Sequence, residues 1–215
     1  MASTSRSRSP PRRERRKEAR PSEIVAAALE MFAEKGFGAT KLVDVARRAG
    51  VSKGTVFVYF PTKEDLFRAV ARSVVTANFD RLQSGPPQHD ITLTEFVPLL
   101  LAQAALAGEG RVGSMVRLLV AESRAFPDLA QVWHDEVVAR MLGMLTAVIT
   151  RAQARGEVRP GDARLQAFSV IGPVLAGVLF REVFRDTGAE LPDLRALAAQ
   201  HVQVVLEGLV VRSGD

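Results

Sequence analysis

The chain has 215 residues, a net charge of +5, 47% hydrophobic residues and no cysteine. This length and hydrophobic content can support a sizeable core, which excludes disorder throughout the chain. The lack of cysteine excludes disulfide scaffolds, thiolate catalysis, cysteine-ligated zinc and iron–sulfur clusters. The longest uncharged stretch, residues 165–180, is shorter than the roughly 20 residues of a membrane span. We therefore expect it to form a buried helix in a soluble, intracellular protein.

The positive charge is concentrated at the N-terminus. Residues 1–20 contain eight basic and two acidic residues, whereas the other 195 contain 21 basic and 22 acidic residues. An Arg/Ser/Pro-rich segment without an apolar pattern predicts a disordered tail over residues 1–20. Two interpretations stay open for it: a solubilising leader, or an arm whose arginines bind DNA phosphates without sequence preference.

After residue 20, apolar positions recur with the helical period of 3.6 and never with a sustained strand period of two. Glycine and proline mark the ends of the predicted segments, and Ser/Thr residues mark several beginnings. In the first half, the pattern predicts helices over 24–36, 40–50, 52–60 and 62–82, with Thr40, Ser52 and Thr62 as N-cap residues.

The clearest break in the pattern is the sequence Ser-Gly-Pro-Pro at residues 84–87. Beyond it the same criteria predict five longer helices, over 92–107, 111–125, 128–155, 162–186 and 192–211. The whole pattern predicts an all-α protein of about nine helices, with one domain over 21–82 and a second over 83–215.

The two short helices have the spacing of a helix-turn-helix, with Gly50 at the sharp turn. In the second helix, Val56 and Phe60 share one side and are expected to pack on the first. The opposite side is centred on Gly54 and Val58. An outward face of this composition is unusual for a solvated helix and suits one that enters the major groove of DNA.

The residues of this helix suggest distinct contacts. Gly54 would permit close backbone approach, Phe57 and Val58 would contact thymine methyl groups, and Lys53 would donate to guanine acceptors. Hydroxyl and ammonium groups would hold phosphates, and the candidates are Thr40, Thr55, Tyr59 and Lys63. The alternative interpretation is a helical hairpin whose exposed apolar residues pack on another domain.

Residues 24–70 resemble the DNA-binding domain of the TetR family of transcriptional regulators. The sequences AGVSKGT (49–55) and YFPTKEDL (59–66) carry this resemblance. Phe57 and Val58 depart from it, because most members have tyrosine and a polar residue at these positions. The resemblance implies a homodimer on a palindromic operator, a ligand cavity in the C-terminal domain and repression relieved by a small molecule.

Several side chains in the second half are candidates for lining a hydrophobic ligand cavity, although an ordinary core explains most of them equally well. They are Met115, Leu119, Trp133, Met141, Met144 and Phe168. Polar groups that could orient a ligand are Gln103, Arg117, Glu122, Arg140 and Gln166. The last two helices carry more apolar surface than a monomer can bury, and Gly172 and Gly177 allow close helix approach. This pattern predicts a four-helix dimer interface.

Other motifs do not support catalysis. The sequence at 108–113 matches G-x-G-x-x-G, but a helix and not a strand precedes it, so nucleotide binding is not expected. The three histidines are scattered, which predicts no metal site, and no cofactor is expected. The alternative function that stays open is an all-α ligand carrier or enzyme whose N-terminal hairpin only packs.

Overall fold

The computed structural model describes residues 12–83 and 91–211, with side chains given for all of these except 12–20, 75–83 and 111. Within these residues the chain forms nine helices and one isolated bridge, between Val158 and Val210. The predicted all-α fold is therefore confirmed. The helices are α1 (Arg12–Ala39), α2 (Leu42–Arg48), α3 (Lys53–Tyr59), α4 (Lys63–Gln83), α5 (Leu93–Gly108), α6 (Arg111–Glu122), α7 (consecutive segments Pro127–Trp133, His134–Val138 and Ala139–Ala154), α8 (Ala163–Phe184) and α9 (Leu194–Leu209).

Side-chain caps explain where most helices begin. The Ser52 hydroxyl accepts a hydrogen bond from the Thr55 amide at the start of α3. Thr62 does the same for the Asp65 amide at the start of α4. Thr92 and Glu95 form a reciprocal capping box on α5, and Asp162 and Asp193 cap α8 and α9. Each cap satisfies amide groups that the first helical turn leaves unpaired.

The N-terminal end differs from the sequence prediction. Helix α1 begins at Arg12, so the backbone of residues 12–20 is helical where we expected a disordered tail. Residues 1–11 lie outside the described part of the chain. The boundary expected near residues 83–87 also lies largely outside it.

Helix α7 contains a single π-helical turn, His134–Val138, between two α-helical segments. The periodicity alone predicted one uninterrupted α-helix over 128–155. A π turn inserts one extra residue into the helical repeat, which rotates the side chains that follow it relative to those before it. Residues on both sides of this turn face the cavity described below.

The described apolar core has two clusters. The first joins the N-terminal helices to α6 and the start of α7, through Met115, Leu118 and Leu129. The second lies between α5, the second half of α7, α8 and α9. The N-terminal helices therefore share a continuous core with the C-terminal helices.

Helix α8 is long and apolar enough to cross a membrane, by length and composition alone. In the structure it packs against α5, α6, α7 and α9, as the core helix of a helical domain does. Gly177 makes this packing possible, because a Cβ atom there would lie 2.7 Å from Leu197 and 2.9 Å from Leu194.

Helix α1 is kinked at Gly36, and residues 36–41, from this kink to the start of α2, are called the turn between α1 and α2 below. Gly36 supports a direct test of this turn. Its backbone has φ 82° and ψ 169°, a region open essentially to glycine. A Cβ atom there would also lie 2.0 Å from Glu122 Oε1. We expect Gly36→Ala to lower the free energy of unfolding by about 2 kcal/mol or more, measured by urea denaturation.

The matched control is Gly143→Ala on the exposed side of α7, where a Cβ atom meets nothing within 4 Å. Removing a helical glycine there should stabilise the fold by about 0.5–1 kcal/mol. Equal effects at the two positions would contradict the strained role assigned to Gly36.

Candidate DNA interface and ligand cavity

The two faces of α3 have opposite environments, as the sequence predicted. Val56 is fully buried and Phe60 nearly so, whereas Lys53, Gly54 and the final turn of the helix are exposed. Val58 is 79% exposed, and its neighbour Phe57 is 41% exposed. The apolar face of α3 is thus available to a partner that lies outside the described chain.

The polar residues of α3 are held in place by short-range contacts. The Lys53 ammonium lies 5.5 Å from the centre of the Phe57 ring, which keeps it over the exposed face. The hydroxyl groups of Thr55 and Ser52 are 2.8 Å apart. Tyr59 is 37% exposed and sits at the C-terminal end of the same face.

Thr40 occupies a different environment from the one we expected. Its side chain is 1% exposed, and its hydroxyl donates to the carbonyl oxygens of Gly36, at 2.7 Å, and Met31, at 3.3 Å. The N-cap of α2 is Lys41, without a side-chain hydrogen bond. The prediction of Thr40 as helix cap was wrong, and its buried hydroxyl cannot reach a phosphate in this conformation.

Lys63 is also directed inward. Its ammonium donates to the carbonyl oxygens of Phe37 (2.7 Å), Gly38 (3.2 Å) and Thr40 (3.1 Å). It lies 4.3 Å from the centre of the Phe37 ring. Partial burial lowers the pKa of the Lys63 ammonium below its usual value. All three of its donors serve the turn between α1 and α2, which leaves none for a phosphate.

A residue of α6 binds the opposite side of the same turn. The Glu122 carboxylate, at the end of α6, accepts the amide N–H groups of Phe37 (3.0 Å) and Gly38 (2.7 Å). One turn earlier on α6, Arg117 donates to the carbonyl oxygen of Ala33 at 2.8 Å and pairs with the buried Glu182 of α8. The sequence suggests Arg117 and Glu122 as residues that orient a ligand. In the structure they instead connect α6 to α1.

A cavity of about 220 Å³ lies between α4, α5, α6, α7 and α8. Trp133, Met141, Met144 and Phe168 line it, as the sequence suggested. Met115 and Leu119 do not: Met115 is fully buried in the first core cluster, and Leu119 packs against that cluster. Among the five polar candidates, Gln103 alone is part of the described wall.

Two other polar candidates have structural partners. Arg140 donates to the buried Glu136 at 3.0 Å, and Arg72 of α4 donates to the other carboxylate oxygen at 2.7 Å. The hydrogen bond from Arg72 is the main reason that the pKa of Glu136 lies below its usual value. Gln166 bonds to Gln153 at 3.0 Å, near the loop before α8.

The glycine motif at 108–113 serves packing. A Cβ atom at Gly108 would lie 2.3 Å from Val178 of α8, and one at Gly113 would lie 2.5 Å from the Gly108 carbonyl oxygen. Both glycines let α5 and α6 turn closely against α8. No group of acidic and histidine side chains suited to a metal ion occurs among the described residues.

Comparison with known proteins agrees with this geometry. Residues 24–70 match the bacterial regulatory proteins of the tetR family, and residues 93–194 match the tetracyclin repressor-like C-terminal domain. The chain belongs to the TetR family. It is a DNA-binding transcriptional regulator, with the helix-turn-helix in its N-terminal domain and a helical ligand-binding domain after it.

Two curated relatives illustrate the range of the family. The chain is 31% identical over 216 residues to the regulator RutR of Escherichia coli K12, covering 92% of this chain and 94% of that protein. It is 26% identical over 163 residues to the fatty acid metabolism regulator of Bacillus subtilis, covering 74% and 82%. Both relatives are regulators.

A solved structure shows the same fold. The B. subtilis regulator FadR, in complex with stearoyl-CoA, superposes with a TM-score of 0.72 at 24% identity. The superposition covers 87% of this chain and 98% of FadR.

The inward position of Lys63 yields a test. Lys63→Ala should remove a donor from three carbonyl oxygens, of which that of Phe37 keeps the Thr40 amide. It should therefore reduce the free energy of unfolding by about 1–3 kcal/mol in urea denaturation. The salt dependence of DNA affinity should not change, because the wild-type ammonium is already occupied. A stable variant whose salt slope falls by about one unit would instead make Lys63 a phosphate contact.

Proposed function

We propose that two copies of this chain form a cytoplasmic repressor that binds a palindromic operator through α3 and leaves it when a small hydrophobic molecule enters the cavity. The observation that supports this most strongly is the exposed face of α3, where Phe57, Val58 and Tyr59 point outward. An exposed apolar face on a short helix suits the methyl-lined major groove of A·T-containing DNA.

The DNA contacts in this proposal follow the placement of each side chain. Lys53 donates to base acceptors, Gly54 lets the backbone approach, and Phe57 and Val58 contact thymine methyl groups. The hydroxyl groups of Thr55 and Tyr59 bind phosphates at the edges of the groove. Thr40 and Lys63 do not contact DNA in this proposal. They stabilise the turn between α1 and α2, which leads into the helix-turn-helix.

The proposed dimer interface is the outer face of α8 and α9. Leu165 and Val183 on α8 and Val204 on α9 are about 60% exposed. Gly172 and Gly208 lie within these helices, and a Cβ atom at either would meet nothing within 4 Å. Although a helical glycine costs about 1 kcal/mol relative to alanine, the missing side chains leave room for the helices of a second copy to approach closely at both positions.

The interface and the cavity are connected through α8. Phe168 and Leu175 are 48% and 43% exposed, and with Gly172 they also line the cavity. The outer stripe of α8 is therefore one wall of the cavity. A second copy packed on that stripe would close this wall, so the dimer would hold the ligand more completely than the monomer.

The role of Lys53 can be tested on operators selected from random DNA. Palindromic enriched sequences would support the dimeric proposal. Lys53→Ala should cost about 1–3 kcal/mol on the enriched sequence and relax the preference at one base pair per half-site. Lys35→Ala, an exposed lysine on α1, is the matched control. Uniform weakening on all sequences would mean that Lys53 contacts a phosphate.

The interface can be tested with buried-charge variants. We expect Val183→Glu and Val204→Glu to shift the protein from dimer to monomer in analytical ultracentrifugation, because two carboxylates would meet an apolar surface. Operator affinity should fall with the loss of the second half-site contact. Val120→Glu on α6, where valine is 62% exposed, is the control. Dimers that persist in both interface variants at micromolar concentration would contradict this assignment.

A further inference from the structure

The cavity combines an almost entirely apolar wall with one amide group. Among its described lining residues, only Gln103 and Trp133 carry a nitrogen or oxygen atom in the side chain. None of these lining residues is charged. A charged group inside this wall would lose its hydration without gaining a counter-ion, which is strongly unfavourable.

Gln103 is unusual within its own helix. It is the only polar residue of α5 between Glu95 and the end of the helix. Its Oε1 atom is buried and has no hydrogen-bond partner among the described residues. Buried acceptors are nearly always paired, so this unpaired atom marks Gln103 as a residue that lacks a partner. Because the Gln103 side chain lines the cavity while its Oε1 atom has almost no accessible surface, a rotation of the amide would bring that atom to a donor on a bound molecule.

Building on the proposed function, we infer that the cavity takes an uncharged, largely hydrophobic molecule whose single hydroxyl group hydrogen-bonds to the Gln103 amide. A hydroxyl can donate to the amide oxygen or accept from the amide nitrogen, so the match holds for either orientation of the amide. Phenols and short-chain alcohols form this class of ligand.

The size of the cavity agrees with this class. Its volume of about 220 Å³ is moderately larger than the roughly 150 Å³ that accepts benzene in an engineered apolar cavity. A ring with a short alkyl substituent fills such a space. Trp133 and the thioether chains of Met141 and Met144 provide an adaptable surface around the ring.

Trp133 also provides the measurement. It is the only tryptophan of the chain and lies in the cavity wall, so its fluorescence reports binding to the full-length protein without DNA. Failure of the DNA-binding proposal would therefore leave this test intact. The probes are 4-propylphenol, propylbenzene and 4-propylbenzoate, which share a shape and differ in one substituent.

We expect wild-type protein to bind 4-propylphenol and propylbenzene and to bind 4-propylbenzoate at least about a hundred-fold more weakly. Gln103→Leu should lower the affinity for 4-propylphenol about three- to ten-fold, the value of one neutral hydrogen bond. It should leave propylbenzene unchanged or bound more tightly. The change must be confined to the probe that carries the hydroxyl.

Thr146→Val is the matched control, because the Thr146 hydroxyl is also buried without a partner but lies outside the cavity wall. It should leave the affinities of all three probes unchanged. Three results would overturn the inference: equal loss of 4-propylphenol and propylbenzene in Gln103→Leu, tightest binding of the benzoate, or no fluorescence response to any probe. Stearoyl-CoA bound equally by wild type and Gln103→Leu, with no response to the phenol, would point to an acyl chain instead.

Discussion

The turn between α1 and α2 is held from both sides by opposite charges, and the position of the DNA-binding helices depends on it. On one side, Glu122 accepts hydrogen bonds from the amide groups of Phe37 and Gly38. On the other side, the Lys63 ammonium donates hydrogen bonds to three carbonyl oxygens of the same turn. Charge-assisted hydrogen bonds of this kind are stronger than neutral ones. A turn that only glycine can adopt at residue 36 is thereby fixed relative to both α4 and α6.

The helices that hold this turn also form the wall of the cavity. Helix α6 contributes Val112 and Val116 to the wall, and its Glu122 binds the turn. Helix α4 contributes Val74, and its Arg72 binds Glu136 in the π turn of α7. In the proposed regulator, a ligand that moves either helix would change the position of α3 through these contacts. Such coupling is reciprocal, since each ligand changes the affinity for the other by the same factor.

Local sequence signals explain how much could be predicted. Helix ends were recognisable because glycine, proline and capping side chains act within a few residues, as at Ser52 and Thr62. The outward face of α3 followed from the helical period alone. The resemblance to the TetR family added the cavity, which periodicity does not reveal.

The errors came from contacts between residues distant in sequence. Glu122 lies 84 and 85 residues from its two partners, and no local pattern announces such a pairing. Met115 lies on an apolar face of α6, as expected, but it packs against the N-terminal helices and does not line the cavity. Thr40 precedes a helix in sequence and yet serves the preceding one, because its hydroxyl reaches back to Gly36 and Met31.

The most direct measurement compares the affinity of the cavity for 4-propylphenol in free protein and in protein saturated with a selected operator, read from Trp133 fluorescence. If the cavity and the DNA-binding helices are coupled through α4 and α6, operator binding should lower the affinity for the probe. The factor should equal the one by which the probe lowers the affinity for the operator. Glu122→Gln should bring that factor closer to one, because the neutral amide holds the turn less tightly. Equal probe affinity with and without operator would show that the cavity does not control DNA binding.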